Sequence, residues 1–234
     1  MEVKTAISGP DLMNFIHQQN ETEPDYGGLN VVDINKSSQL LNWYLKTEMF
    51  KDVWGELIDP EYFLNWGMDW GNYENHFVGR IFEDIASAWM IAKLRMSKKN
   101  INAKLISPRK TLEVYKKIYP EAIETNSPFD LNSLQGIPVP DGLIKNINTN
   151  KIIAVCEYTL SFKVFEEKKR KMLKYKKDLE KLGFRVQPIL VLPDIKDKKT
   201  SEDISIEYLP FGTNRFKEFN EPILSQAKDI LYNY

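Results

Sequence analysis

Residues 151–192 constrain the fold of this chain more than any other stretch. They run as a β-branched apolar segment (KIIAVCEYTL), a long lysine-rich segment, a glycine and a second apolar segment (RVQPILVL). Strand, helix and strand in immediate succession form a crossover unit, so the strands at 151–160 and 185–192 should lie parallel in one sheet. Gly183 supplies the stop for the intervening helix at 162–182. This unit makes the chain α/β.

The flanking sequence extends the sheet. Residues 137–145 read as a strand distorted early by Pro138 and Pro140, and a loop at 145–150 allows a hairpin with 151–160. Upstream, 72–97 reads as one long helix, with Asp69 or Asn72 as its cap. Phe77, Ile81, Ile85, Ala88 and Ala92 follow one apolar stripe, and Phe82, Ala86 and Trp89 another. Glu83 and Asp84 interrupt that apolar face, so each is either on the solvent edge or held for a purpose. A short strand is expected at 103–106 and a helix at 108–119, opened by Pro108 and ended by Pro120. Downstream come a charged loop at 194–203, a strand at 204–209 and a helix at 215–232. The expected architecture is a mixed β-sheet of four or five strands flanked by helices.

Residues 1–71 read as a mainly helical, aromatic-rich N-terminal extension to a core at 72–234. That extension holds a short helix at 11–19 and an apolar patch at 29–34. Ser37 and Ser38 are expected to cap a helix carrying Leu40, Leu41, Tyr44 and Leu45. Trp43, Trp54, Trp66 and Trp70 cluster here, and at helical spacing they point to core or a subunit interface before base stacking.

The charge balance, 32 basic against 33 acidic residues, excludes a uniformly basic nucleic-acid coat. Any basic surface must be local. One cysteine, Cys156, with only His17 and His76, excludes a Cys/His zinc cluster and suits a reducing compartment. With no apolar signal core and no run of 18 apolar residues, the expectation is a soluble intracellular protein, cytoplasmic or nucleoid-associated, with no membrane contact.

Two carboxylates stand out. Asp141 lies in a Pro-Asp-Gly turn and Glu157 near the end of the 151–160 strand, 157 − 141 = 16 residues later. A hairpin brings both to the same end of the sheet. Period-two alternation puts Val155, Glu157, Thr159 and Ser161 on one face, and Cys156 and Tyr158 on the other. A carboxylate in so apolar a run needs a cation, a donor or solvent. Two hard oxygen ligands converging beside a basic helix suit Mg²⁺-assisted phosphodiester hydrolysis. Over 163–182 nine basic side chains face four acidic ones, a local surplus able to track phosphates, with Lys168, Lys169, Lys171 and Lys174 as candidate DNA contacts. Asp194 and Glu207 form a weaker rival pair, separated by a hydrophilic loop.

A helix with Glu83, then Pro140-Asp141, then Glu157-Tyr158-Thr159, a helix and a further strand together resemble the PD-(D/E)XK nuclease superfamily, the restriction-endonuclease-like and Holliday-junction-resolvase-like proteins. The match covers residues 72–192. It implies a restriction-endonuclease-like fold and a Mg²⁺-dependent deoxyribonuclease, with Mn²⁺ able to substitute. Asp141 and Glu157 would bind the metal, the Tyr158 carbonyl would be a further ligand, and Glu83 would assist. The substrate class would be DNA, cut in a junction-resolving, restriction-type or repair role, and residues 40–70 could build a homodimer. Thr159 stands where the pattern has its lysine, so the motif is degenerate; Lys163 is the nearest stand-in along the chain. Lys171 stands where RecB-like members have the glutamine of Gln-x-x-x-Tyr, while Tyr175 matches. Thr159 also supports the alternative, a catalytically inactive nuclease-fold protein that binds nucleic acid or a protein partner.

Overall fold

The computed structural model describes residues 36–66, 69–97, 101–106, 139–181 and 183–233. In order these form α1 (Ser37–Tyr44), α2 (Glu48–Leu57), α3 (Pro60–Trp66), α4 (Trp70–Arg95), β1 (Ala103–Ile106), β2 (Gly142–Asn146), β3 (Lys151–Tyr158), a 3-10 turn (Phe162–Val164), α5 (Phe165–Lys181), β4 (Gln187–Asp194), β5 (Ser205–Gly212) and α6 (Thr213–Tyr232). The helices expected at 11–19 and 108–119 and the apolar patch at 29–34 lie outside the described residues.

The five strands form one mixed sheet in the order β1-β2-β3-β4-β5. β1, β2 and β3 make an antiparallel meander, whereas β3, β4 and β5 are parallel. The β2–β3 hairpin closes because Asn146 Oδ1 accepts from the amides of Asn148 and Thr149, and Asn150 takes φ 56°. Asparagine is one of the few residues that enters this region at low cost. The parallel pair is joined by α5, which ends where Gly183, at φ 88°, turns the chain. There the amides of Gly183 and Phe184 donate back to the carbonyls of Glu180 and Leu179.

The strand bounds differ from expectation at the Pro-Asp-Gly segment. Pro140 has no amide to give a ladder, so β2 begins only at Gly142. Packing is tight at Gly142: a Cβ there would lie 2.8 Å from Leu105 Cδ1 and 3.3 Å from Tyr158 Oη, so the Leu105 side chain would have to shift.

Helices cover both faces. Ile144, Ala154, Cys156, Tyr158, Ile189, Val191, Leu209 and Phe211 share one core with α1, α2, α4 and α6. On the opposite face, Phe165 and Met172 of α5 pack with Leu190, Leu192 and Ile204. The N-terminal helices are thus packed into the main core, through Leu40, Leu41, Tyr44, Val53 and Leu57. Aromatic rings join them to α4, with the Phe63 ring 4.8 Å from that of Tyr73 and the Tyr62 ring 5.9 Å from that of Phe77.

Asp69, not Asn72, caps α4, accepting from the Asn72 amide at 2.9 Å. At its far end Arg95 Nε donates to the Ala103 carbonyl, which ties the helix to β1. Ser37 and Ser38 make no cap; Lys36 holds that position without a side-chain bond. Among the described residues, no helix is long and apolar enough to cross a membrane.

Candidate active site

Register brings the two carboxylates together. Gly142 pairs with Cys156 across the β2–β3 ladder, so Asp141 and Glu157 occupy the next facing positions, beyond the last paired residues of β2. Asp141 Oδ2 accepts from the Tyr158 amide at 2.7 Å, which fixes its carboxylate at the end of β3. Period-two alternation turns Cys156 and Tyr158 into the large core and Glu157 toward α5.

Glu157 is 1% exposed, an unusual place for a charge, and it meets α5 there. Lys168 donates to Glu157 Oε2, and the same ammonium is 3.9 Å from Asp141 Oδ2. The Tyr175 hydroxyl is a second hydrogen-bond partner of Glu157. Lys168, Met172, Tyr175 and Leu179 fall on one helical stripe, and Lys168 is its only charged member. Asp141 and Lys168 remain 21% and 20% exposed, so solvent reaches this group from one side.

Glu83 enters from α4. It forms no ion pair with the described residues, but it feels the charges of Asp141, Glu157 and Lys168. Burial first, and then the negative charge of Asp141 and Asp84, hold its carboxyl well above the ordinary carboxylate range. Burial and the Asp141 charge likewise push Glu157 from 4.5 up to about 7, against the pull of Lys168. Asp141 is also raised by burial, with Lys168 and the Tyr158 amide opposing. Burial works against the Lys168 charge, but Asp141 and Glu157 outweigh it and raise its pKa. Among the described residues, Lys168 is the ammonium paired with both Asp141 and Glu157, and Lys171 adds a weaker attraction at Asp141.

Asp84, adjacent in sequence, belongs elsewhere. Tyr44 Oη donates to its Oδ2 at 2.9 Å, so it fastens α1 to α4. The structure thus separates Glu83 and Asp84 by role.

The remaining expected residues fall as follows. Thr159 Oγ1 accepts from the Ser161 amide, so its hydroxyl builds the turn after β3. Lys163 is exposed on the 3-10 turn, with its amide donating to Ser161 Oγ; the ammonium brought to the carboxylates is that of Lys168. Lys169 pairs with Asp203, and Lys171 with Glu167. Lys171 also lies near enough to Asp141 to favour its charge. Lys174 is exposed. The rival pair is not assembled: Asp194 pairs with Lys198, and Glu207 with Lys93.

Among the described residues, no three His, Cys, Asp or Glu side chains stand ready as a metal cluster. Asp141 and Glu157 nevertheless form a pair of hard oxygen donors, of the kind suited to Mg²⁺ or Mn²⁺. Comparison of the chain with protein-family models, with curated proteins and with solved structures found no match.

Proposed function

We propose that this chain is a divalent-metal-dependent deoxyribonuclease of the PD-(D/E)XK type. The observation that carries the reading is the convergence of Asp141, Glu157 and Lys168 at the end of the β2–β3 hairpin. The succession α4, meander, α5, parallel strand supports it, since it follows the order that the sequence resemblance implies. Lys168 supports it further by supplying, from the helix, the ammonium that Thr159 cannot supply from the strand.

Asp141 and Glu157 would hold Mg²⁺, with the Tyr158 carbonyl completing the protein ligands. The metal would polarise the scissile phosphate and orient a water for in-line attack. The Tyr158 amide fixes Asp141, and Tyr175 fixes Glu157, so neither donor must reorganise during reaction. Lys168 would stabilise charge building on the phosphate. Glu83, whose raised pKa leaves it readily protonated, would exchange a proton with water at the edge of the site. Lys171 and Lys174 of α5 would contact the DNA backbone.

The test is incubation with linear, single-stranded, supercoiled and four-way-junction DNA in Mg²⁺ or Mn²⁺, beside Asp141→Ala and Glu157→Ala. Metal-dependent cutting absent from both variants is the expected result. DNA binding without cutting by the wild type would favour the rival reading, a nuclease-like fold that only binds.

A further inference from the structure

The position of Lys168 bears on how such a site is kept before it is loaded, an inference that rests on the metal reading above. Its ammonium bonds Glu157 Oε2 and lies 3.9 Å from Asp141 Oδ2, facing the same two oxygens that would ligate a divalent cation. Two cations crowded against one pair of carboxylates repel each other strongly where water is scarce. We infer that Lys168 is an exchangeable counter-ion: it neutralises Glu157 in the metal-free protein, yields that carboxylate as the metal binds, and then contacts the substrate phosphate.

Three features favour exchange over a permanent ion pair. The lysine stem is long and flexible, and 20% of the side chain is already exposed, so an outward rotation is open to it. Both donors keep a partner without it, since Asp141 retains the Tyr158 amide and Glu157 retains the Tyr175 hydroxyl. The ligands can therefore stay in place as the ammonium leaves. The solvent-reached side of the group, which Asp141 and Lys168 share, is also the side from which a phosphate chain must approach.

The consequence separates this role from a structural one. Removing a structural lysine loosens the ligands and weakens metal binding, whereas removing a competitor strengthens it. Calorimetric titration of Mn²⁺ alone, without DNA, into wild type, Lys168→Met, Lys168→Gln and Lys168→Arg reads the difference. The neutral variants are expected to bind Mn²⁺ roughly tenfold more tightly, as loss of one competing charge near the site implies, and Lys168→Arg to stay near the wild type. Amine-reactive labelling of the wild type, read by mass spectrometry, needs no variant to fold: Lys168 should become more reactive when Mg²⁺ is added. Unchanged or weaker Mn²⁺ binding by the neutral variants, or unchanged labelling, overturns the exchange while leaving the metal site standing. Absence of Mn²⁺ binding by wild type and every variant overturns both.

Discussion

Replacing Glu157 by glutamine removes a charge that the fold holds at a cost. Its carboxyl rises from 4.5 to about 7 on folding, and at about 1.4 kcal/mol per pH unit the difference, 7 − 4.5, amounts to about 3 kcal/mol. Between those two values the native state keeps a proton that the unfolded chain has released. Metal-free stability therefore falls as pH rises through this window, and stays lower above it. Glu157→Gln lacks this penalty. Against that gain stands the lost ion pair, but Lys168 is one-fifth exposed and keeps Asp141 at 3.9 Å, so it is not stranded. The expected net effect at pH 8, in chelator, is a stabilisation of about 1–3 kcal/mol that disappears near pH 4. Urea denaturation of both proteins across pH 4–8 measures it. A variant less stable than the wild type by more than about 1 kcal/mol at pH 8 would mean that Lys168–Glu157 is structural cement, with no surplus charge awaiting a cation.

Lys168→Met should do the opposite. It leaves the nearly solvent-free Glu157 without its cation, with the Tyr175 hydroxyl still bonded, so a loss of about 1–3 kcal/mol is expected at pH 8, shrinking toward pH 5 as the carboxyl takes a proton; the same urea series reads it. Tyr44→Phe removes the donor to Asp84, whose carboxyl burial lifts to about 6. Its cost, about 1–2 kcal/mol at pH 8, should fall below pH 6, with urea melts at both pH values as the check. Gly183→Ala forces a side chain into φ 88° and should cost about 1–2 kcal/mol at every pH, as a lower thermal midpoint.

Much of the fold could be read from local patterns. The β3–α5–β4 crossover followed from two apolar runs around a helical one, and Gly183 followed from its place after the last helical turn. The orientation of Glu157 followed from strand alternation alone. Lys168 was harder to read, because a lysine among nine basic residues looks like solvated charge. The available signal was its phase: it shares a stripe with Met172, Tyr175 and Leu179, where an apolar residue belongs. Glu83 and Asp84 could not be told apart, since their difference depends on Tyr44, forty residues away. The late start of β2 reflects Pro140, whose missing amide outweighs the extended tendency of its neighbours. The Ser37-Ser38 pair had cap chemistry, but the helix starts at Ser37 itself, leaving Lys36 at the cap.

Single-turnover cleavage of the preferred DNA in Mg²⁺, by wild type, Glu157→Ala, Lys168→Ala and Lys163→Ala, is the decisive measurement. Loss of about 100-fold or more in Glu157→Ala and Lys168→Ala, with Lys163→Ala within about threefold of wild type, is expected if the helix ammonium stabilises the transition state. Wild-type rates in Lys168→Ala, or a collapse in Lys163→Ala, would contradict the assignment of that ammonium. A wild type that cuts no DNA in either metal would contradict the nuclease reading itself.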